Sequence, residues 1–217
     1  MSIARDSNSS IGISSASSLT WSHTCSGSNR ILFVWGYVEG SNTLTGCTYN
    51  AVSMTQITFV TTSGRSLYAY FLVAPATGAN NIVLTNSGTS GMTGLAISYT
   101  GARQTGQPDS SGSANQGVGI TAQSINITTV AANSWIAGGM VNDGGIGSAV
   151  GNGAYTKLAT GGWNGTMVLD SNGPIVTPAL TACGWTGANS STANAQTISV
   201  SIAPVGAASN SAFFAFM

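Results

Sequence analysis

The sequence predicts an all-β protein, a two-sheet β-sandwich of jelly-roll type built from about a dozen short strands. Two long apolar runs, residues 30–38 (RILFVWGYV) and 67–74 (LYAYFLVA), are rich in β-branched and aromatic side chains. A run without polar alternation is covered on both faces, so we predict that these two runs are paired central strands. No segment shows a sustained helical period with caps, which disfavours a helical fold.

The chain is expected to begin with an arm and to continue as one domain. Residues 1–18 are rich in serine and contain few apolar anchors, so we expect an N-terminal arm that is either flexible or extended along a neighbouring subunit. Residues 19–217 are expected to form a single β-sandwich domain. If this domain is subdivided, the polar stretch 104–117 is the boundary, although that stretch is equally typical of a crossover connection.

Short strands are expected along the whole domain. The first one, residues 19–26, places Leu19, Trp21, His23 and Cys25 on one face. Further strands are predicted at residues 57–60, 81–85, 94–100, 134–141, 166–169, 180–185, 195–203 and, as a closing core strand, 212–217.

A hairpin is predicted at residues 47–54 (CTYNAVSM), with the two-residue loop Asn50-Ala51. A type I′ turn needs positive φ at both loop positions. Glycine adopts that conformation far more easily than alanine, so Ala51 is not the ideal residue for this turn.

Charge is the unusual feature of the composition. Only 5% of the residues are Asp, Glu, Lys or Arg, against about 25% in an average protein, and the five cations balance the five anions. This balance leaves no basic footprint for nucleic acid and no polybasic patch for a membrane surface. A nearly uncharged surface also gives little repulsion between copies, so we expect a homo-oligomer or a subunit of a larger assembly.

The N-terminal sequence and the three cysteines lead to expectations about where the chain is made and whether it forms a disulfide. The N-terminus has no apolar signal region, and no stretch approaches the ~20 apolar residues of a membrane span, so we expect synthesis in a cytoplasm. Cys25, Cys47 and Cys183 show no CxxC spacing and are expected to be buried reduced thiols. The alternative is a Cys25–Cys47 bridge between neighbouring strands.

No catalytic constellation is visible in the sequence. His23 is the only histidine, there is no GxSxG motif, and the five carboxylates are far apart in the chain. The glycine-rich residues 143–153 lack the ending of a phosphate loop and are interpreted as an ordinary loop. We therefore predict no catalytic residue, no metal site and no cofactor.

Tryptophans are the remaining candidates for a binding role. Trp21, Trp35 and Trp135 lie in predicted strands and are expected in the core. Trp163 is flanked by Gly161-Gly162 and Asn164-Gly165, so it is expected to project from a loop. It is the one aromatic residue that we nominate for glycan contact, with packing between subunits as the alternative.

Four segments carry a resemblance to a known group of proteins. They are SHTCSGSNRILFVWGYV (22–38), TYNAVSMTQI (48–57), LYAYFLVAPATGANNIVLT (67–85) and GLAISYTGARQTGQP (94–108). Their order resembles an uncharacterised family of jelly-roll-like β-sandwich proteins found in bacteriophage virions and on bacterial surfaces. The resemblance covers residues 19–217, and its motifs name turns and strands without identifying an active site. The usual Asn-Gly of the hairpin is Asn50-Ala51 here.

The resemblance implies a displayed, non-enzymatic protein. We expect a virion structural protein of a bacteriophage, either a capsid decoration or a tail or fibre component, made in the host cytoplasm and carried on the virion surface. Its expected partners are itself, with a trimer favoured, and other virion proteins such as the major capsid protein. The alternative is a carbohydrate-binding adhesin or receptor-binding module that contacts host surface glycans.

Overall fold

The computed structural model describes residues 1–62, 64–142, 145–146, 148–153, 155–161, 165–188 and 195–206. The protein is all-β, with 68% of its residues in strands and 0% in helices. Within the described residues, no helix has the length and hydrophobicity needed to cross a bilayer. The all-β class predicted from the sequence is therefore confirmed.

Fifteen strands cross the described residues, more than the sequence predicted. They are β1 (Ala4–Cys25), β2 (Ile31–Glu39), β3 (Leu44–Tyr49), β4 (Val52–Ser53), β5 (Thr55–Thr62), β6 (Arg65–Val73), β7 (Gly78–Thr100), β8 (Ser110–Gln116), β9 (Ala122–Thr128), β10 (Trp135–Val141), β11 (Val150–Gly151), β12 (Thr156–Gly161), β13 (Thr166–Asp170), β14 (Leu180–Thr186) and β15 (Ala195–Ile202).

The strands form three antiparallel sheets. In the first sheet the order is β4-β3-β7-β2-β6-β5, and β1 pairs with β7 along its length. The second sheet has the order β12-β13-β10-β15-β8, and the third has β11-β14-β9. The first sheet is thus built before residue 101, and the other two sheets are built after it.

The first sheet folds over on itself. Its long strands β1 and β7 run through both halves, and their register shifts at Ala16, between the two halves. A buried core joins the two halves, and in it the Trp21 ring packs on the backbone of Gly94. A Cβ atom added to Gly94 would lie only 2.4 Å from this ring. A glycine is required there because any side chain would meet the indole.

Two further hydrophobic cores lie between the first and second sheets and between the second and third sheets. Phe33 and Trp35 of β2 face the second sheet, and the Trp35 indole Nε1 donates a hydrogen bond to the carbonyl of Ile198 at 3.0 Å. On the other side of the second sheet, Met140 and Trp185 belong to a third core shared with the third sheet. The two halves of the first sheet and the two remaining sheets therefore form four layers, not the predicted two.

Several local predictions are confirmed. The central strands β2 and β6 pair antiparallel from Ile31 opposite Val73 to Glu39 opposite Arg65. The hairpin turns at Asn50-Ala51, with φ values of 49° and 60°, so alanine does adopt the strained left-handed conformation of a type I′ turn. The face predicted for residues 19–26 is buried at Leu19, Trp21, His23 and Cys25.

The cysteine prediction is also confirmed. Cys25, Cys47 and Cys183 are free and buried, so the alternative Cys25–Cys47 bridge is not formed. The Cys47 sulfur instead lies 3.3 Å from the Met54 sulfur, inside the core of the folded sheet.

Other predictions are corrected by the structure. In the supposed arm at residues 1–18, residues 4–18 form the first part of β1 and pair with β7 of the same chain, and Ser7 and Ser9 contact His23. The polar stretch 104–117 contains β8, which pairs with β15, and a subdivision of the domain at this stretch stays a prediction. The strands predicted at 81–85 and 94–100 are two parts of β7. The closing strand predicted at 212–217 lies outside the described residues.

Candidate functional site

A polar network surrounds His23 where the two halves of β1 lie against each other. The imidazole is buried, with 2% of its residue surface exposed. Its Nδ1 lies 2.8 Å from the hydroxyl of Ser9, and its Nε2 lies 3.2 Å from the hydroxyl of Ser7. Both serines belong to the segment that the sequence had assigned to an arm. Sequence spacing could not reveal this contact, because it depends on the fold of β1.

The directions of these hydrogen bonds follow from Ser7. Its hydroxyl has one hydrogen and donates it to the backbone carbonyl of Thr24 at 2.5 Å, so Ser7 accepts from Nε2 of His23. The neutral ring therefore carries its hydrogen on Nε2, and Nδ1 accepts from the Ser9 hydroxyl. The Ser9 oxygen in turn accepts from the Trp21 indole at 3.0 Å.

Asp6 completes this network at its exposed end. Its carboxylate accepts the Ser98 hydroxyl and the Ser26 N–H, each at 2.8 Å, and also the Ser26 hydroxyl. Burial raises the pKa of Asp6, but the hydrogen bonds from Ser26 and Ser98 lower it more, so the pKa lies below its ordinary value. Burial lowers the pKa of His23 to about 4, against a smaller opposing effect of Asp6.

The arrangement differs from that of a nucleophilic serine. Such a serine gives its proton to a histidine whose other N–H is held by a carboxylate. Here Ser7 donates to the backbone carbonyl of Thr24, and Nε2 of His23 donates to Ser7 instead of to Asp6. With a pKa of about 4, His23 is also a weak base at neutral pH. The network is suited to joining the two halves of β1.

Two other aspartates make separate structural contacts. Asp109 accepts hydrogen bonds from the N–H groups of Val130 and Ala131 at 2.8 and 2.9 Å. Its carboxylate also lies 3.6 Å from the Arg103 guanidinium. Asp170 pairs with Arg5 on the opposite sheet. Within the described residues, no group of three or more His, Cys, Asp or Glu side chains is arranged to hold a metal ion.

Asp170 also changes the ionisation of a buried tyrosine. The Tyr99 hydroxyl donates to Asp170 at 3.1 Å. The pKa of Tyr99 is raised well above its ordinary value, first by burial and then by the negative charge of Asp170. Tyr99 therefore remains a neutral hydrogen-bond donor, which is what the buried carboxylate needs.

A cleft of about 730 Å³ opens at one end of the first and second sheets. It is lined by apolar or uncharged residues, namely Met1, Ser2, Ile3, Val130, Ala131, Ala132, Asn133, Trp135, Pro174, Pro204, Val205 and Gly206. Trp135 is half-buried and contacts Tyr99 edge-to-face, with 6.0 Å between the ring centroids. Asp109 supports the rim through the backbone of Val130 and Ala131.

The tryptophans occupy three kinds of environment. Trp21 and Trp35 are buried in the core, as predicted. Trp135 was also predicted in the core, but it is partly exposed and lines the cleft, because it stands at the first position of β10. Trp163, the residue nominated for glycan contact, lies outside the described residues. No local pattern in the sequence predicts the cleft, since its lining comes from four distant parts of the chain.

Comparison with known proteins adds no assignment. No family model matches the chain, and no curated protein matches it. Function is therefore inferred from the residues and their geometry alone.

Proposed function

We propose that this chain is a non-enzymatic structural protein of a bacteriophage virion, a capsid decoration or a component of the tail or a fibre. It acts on the virion surface through contacts repeated between its copies and with other virion proteins such as the major capsid protein. Homo-oligomers are part of this proposal, and the trimer favoured by the sequence is one closed form of them.

The placement of the charges carries the proposal. In the described residues, Arg5 is paired with Asp170, and Arg103 lies against Asp109. Asp6 is engaged by Ser26 and Ser98. Carboxylates that are engaged in separate structural contacts are not available as an acid–base pair. The surface left over is mostly hydroxyl, amide and small apolar, which suits repeated packing without electrostatic repulsion.

The stacked sheets support the same role. Four layers joined by three cores give a rigid block whose faces can be tiled in a lattice or along a shaft. We keep the jelly-roll type within this proposal, as the architecture that the family resemblance implies.

Mass-spectrometric counting on purified phage particles tests the proposal. Hundreds of copies per particle are expected for a capsid decoration, and a handful for a tail component. Particles that lack the protein, while infected cells contain it, would contradict the proposal.

A second candidate function is binding of host glycans, as an adhesin or receptor-binding module. The uncharged cleft with the half-buried Trp135 favours it, because neutral sugars stack their C–H faces on indole rings. Glycan-array screening followed by titration of Trp135→Ala and Trp163→Ala tests it. Binding that survives both substitutions, or an array without any binder, excludes this candidate.

A further inference from the structure

The strand β5 is an open edge of the first sheet. In the described residues no strand other than β6 pairs with it, so its other side has no partner strand. Its sequence, TQITFVTT, is rich in β-branched residues and contains no proline or glycine. Residues 40–64 contain no charged side chain, although charges are the usual protection of such an edge.

An aromatic row ends at this edge. Phe59 is 51% exposed, and its ring stacks on Tyr68 with 5.2 Å between centroids and 15° between planes. Tyr68 in turn stacks on Tyr70, with 6.3 Å and 12°. The two tyrosines are buried, so the row begins in the core and presents its last ring to solvent. An exposed aromatic on a preformed, rigid stack is the type of residue that anchors interfaces.

The second layer of the folded sheet reaches the same edge. Only Met54 separates β4 from β5, so the chain passes from one layer to the other at this point. Val52 of β4 is 52% exposed. The edge therefore offers two large exposed apolar side chains, Val52 and Phe59, beside the side of β5 with which no strand pairs.

The other described edges are less suited to pairing. β12 carries Lys157 and a register shift next to it. β8 (SSGSANQ) presents no large apolar side chain. On β1, Ser7 covers the carbonyl of Thr24, and Arg5 adds a charge. β11 has two residues, and β9 (AQSINIT) buries both of its isoleucines and exposes only small or polar side chains.

We infer that the β5 edge is the contact between two copies of this chain, an inference that rests on the proposed assembly role. Two β5 strands pair antiparallel about a two-fold axis near Phe59 and form about six main-chain hydrogen bonds. Residues directly opposite in such a pair share a face, so Phe59 lies beside the partner's Phe59. The tyrosine row then continues from one copy into the next.

A second copy is the occupant that fits this edge. The strand has no charge that would call for an oppositely charged partner, and identical strands of this composition are complementary to each other in antiparallel pairing. The contact is isologous, so copies associate in pairs through β5, and a trimer would be formed through a different surface.

Sedimentation velocity over a range of concentrations tests the contact with three variants. Phe59→Lys removes the exposed ring and sets two like charges opposite each other. Thr61→Lys places a charge on the same face of β5 and leaves the ring in place. Leu180→Lys is the matched control, because Leu180 is 66% exposed in a strand of the third sheet. Circular dichroism verifies that each variant is folded.

We expect a wild-type dimer whose dissociation constant rises at least about 30-fold in Phe59→Lys and Thr61→Lys and stays unchanged in Leu180→Lys. Amides of β5 are expected to exchange more slowly as the wild-type concentration increases. Oligomers that both edge variants leave intact overturn this contact but leave the assembly role standing. Edge variants that self-associate normally but fail to join particles assign the edge to another virion protein and overturn self-pairing. A wild-type chain that is monomeric at every concentration contradicts both proposals.

Discussion

The Arg5 guanidinium and the Asp170 carboxylate form two parallel hydrogen bonds between β1 and β13. Nε of Arg5 lies 2.9 Å from Oδ2 of Asp170, and Nη2 lies 2.6 Å from Oδ1. The Asp170 side chain is fully buried, whereas 27% of the Arg5 side chain is exposed. This bidentate pair joins the first sheet to the second and fixes their relative position.

Replacing Arg5 with methionine should lower the free energy of unfolding by about 3 kcal/mol, because it leaves the buried Asp170 carboxylate without its cation. The Tyr99 hydroxyl and the Asn172 N–H would remain as hydrogen-bond donors. Urea denaturation measures the change. Lys157→Met, which removes another cation, is the control and should shift the value by less than about 0.5 kcal/mol. A loss below about 1 kcal/mol for Arg5→Met would contradict the assigned role of the pair.

Stability should fall between pH 6.5 and pH 4 because of His23. Burial lowers its pKa in the folded protein from 6.5 to about 4, so the unfolded chain binds a proton first as the pH falls. The unfolded state then holds more protons, and stability decreases by up to about 3 kcal/mol across this interval. Above pH 6.5 the ring is neutral in both states and the contribution is complete.

Urea denaturation at a series of pH values from 7.5 to 4.5 measures the His23 effect. The variant His23→Gln has no group that titrates at this position, so its stability should change less over the same interval. Equal pH dependence of the variant and the wild type would show that another group is responsible.

Gly139→Ala should destabilise the interface between the first and second sheets by about 3 kcal/mol, since overpacking a core strains it. A Cβ atom at Gly139 would lie 2.3 Å from Cγ and Cδ1 of Trp35, whose indole is fixed by its bond to the Ile198 carbonyl. Thermal unfolding and Trp fluorescence report the change. Gly46→Ala is the control, because nothing lies within 4 Å of its Cβ position. Similar effects of the two substitutions would refute this explanation.

Ala51→Gly should stabilise the protein by about 0.5–1 kcal/mol. Ala51 has a φ of 60°, and the left-handed conformation is unfavourable for a residue with a Cβ atom. Ala79→Gly in β7, where φ is not positive, should have the opposite sign because glycine adds freedom to the unfolded chain. Chemical denaturation distinguishes the two, and a destabilising Ala51→Gly would disprove the turn assignment.

The parts of the fold that could be predicted are those whose burial produces an apolar run or an apolar–polar alternation in the sequence. β2 and β6 are covered on both faces, so their residues form unbroken apolar runs. The alternation at Leu19, Trp21 and His23 is visible because one face of β1 is buried there. The hairpin was found from its length and position, although alanine stands where glycine is usual.

The parts of the fold that were not predicted show no such apolar pattern. β8 is an edge strand of small polar residues held by backbone bonds to β15, so its composition is that of a loop. The first half of β1 was assigned to an arm because Ser7 and Ser9 look like solvent-exposed residues, whereas they bond to His23. The cleft and the stacking of four layers depend on long-range packing, which local patterns do not encode.

The pairing of β1 with β7 has a consequence for synthesis on the ribosome. Residues 18–25 pair with residues 78–85, and residues 4–13 pair with residues 92–100, so β1 cannot be fully paired until residue 100 has left the exit tunnel. When β1 has paired with β7, Phe33 and Trp35 of β2 are still uncovered. They become buried only after β15, near the end of the chain, has been synthesised. The partly synthesised protein therefore exposes an apolar aromatic surface that can aggregate. Slower translation or chaperone binding at that stage would increase the yield of folded protein.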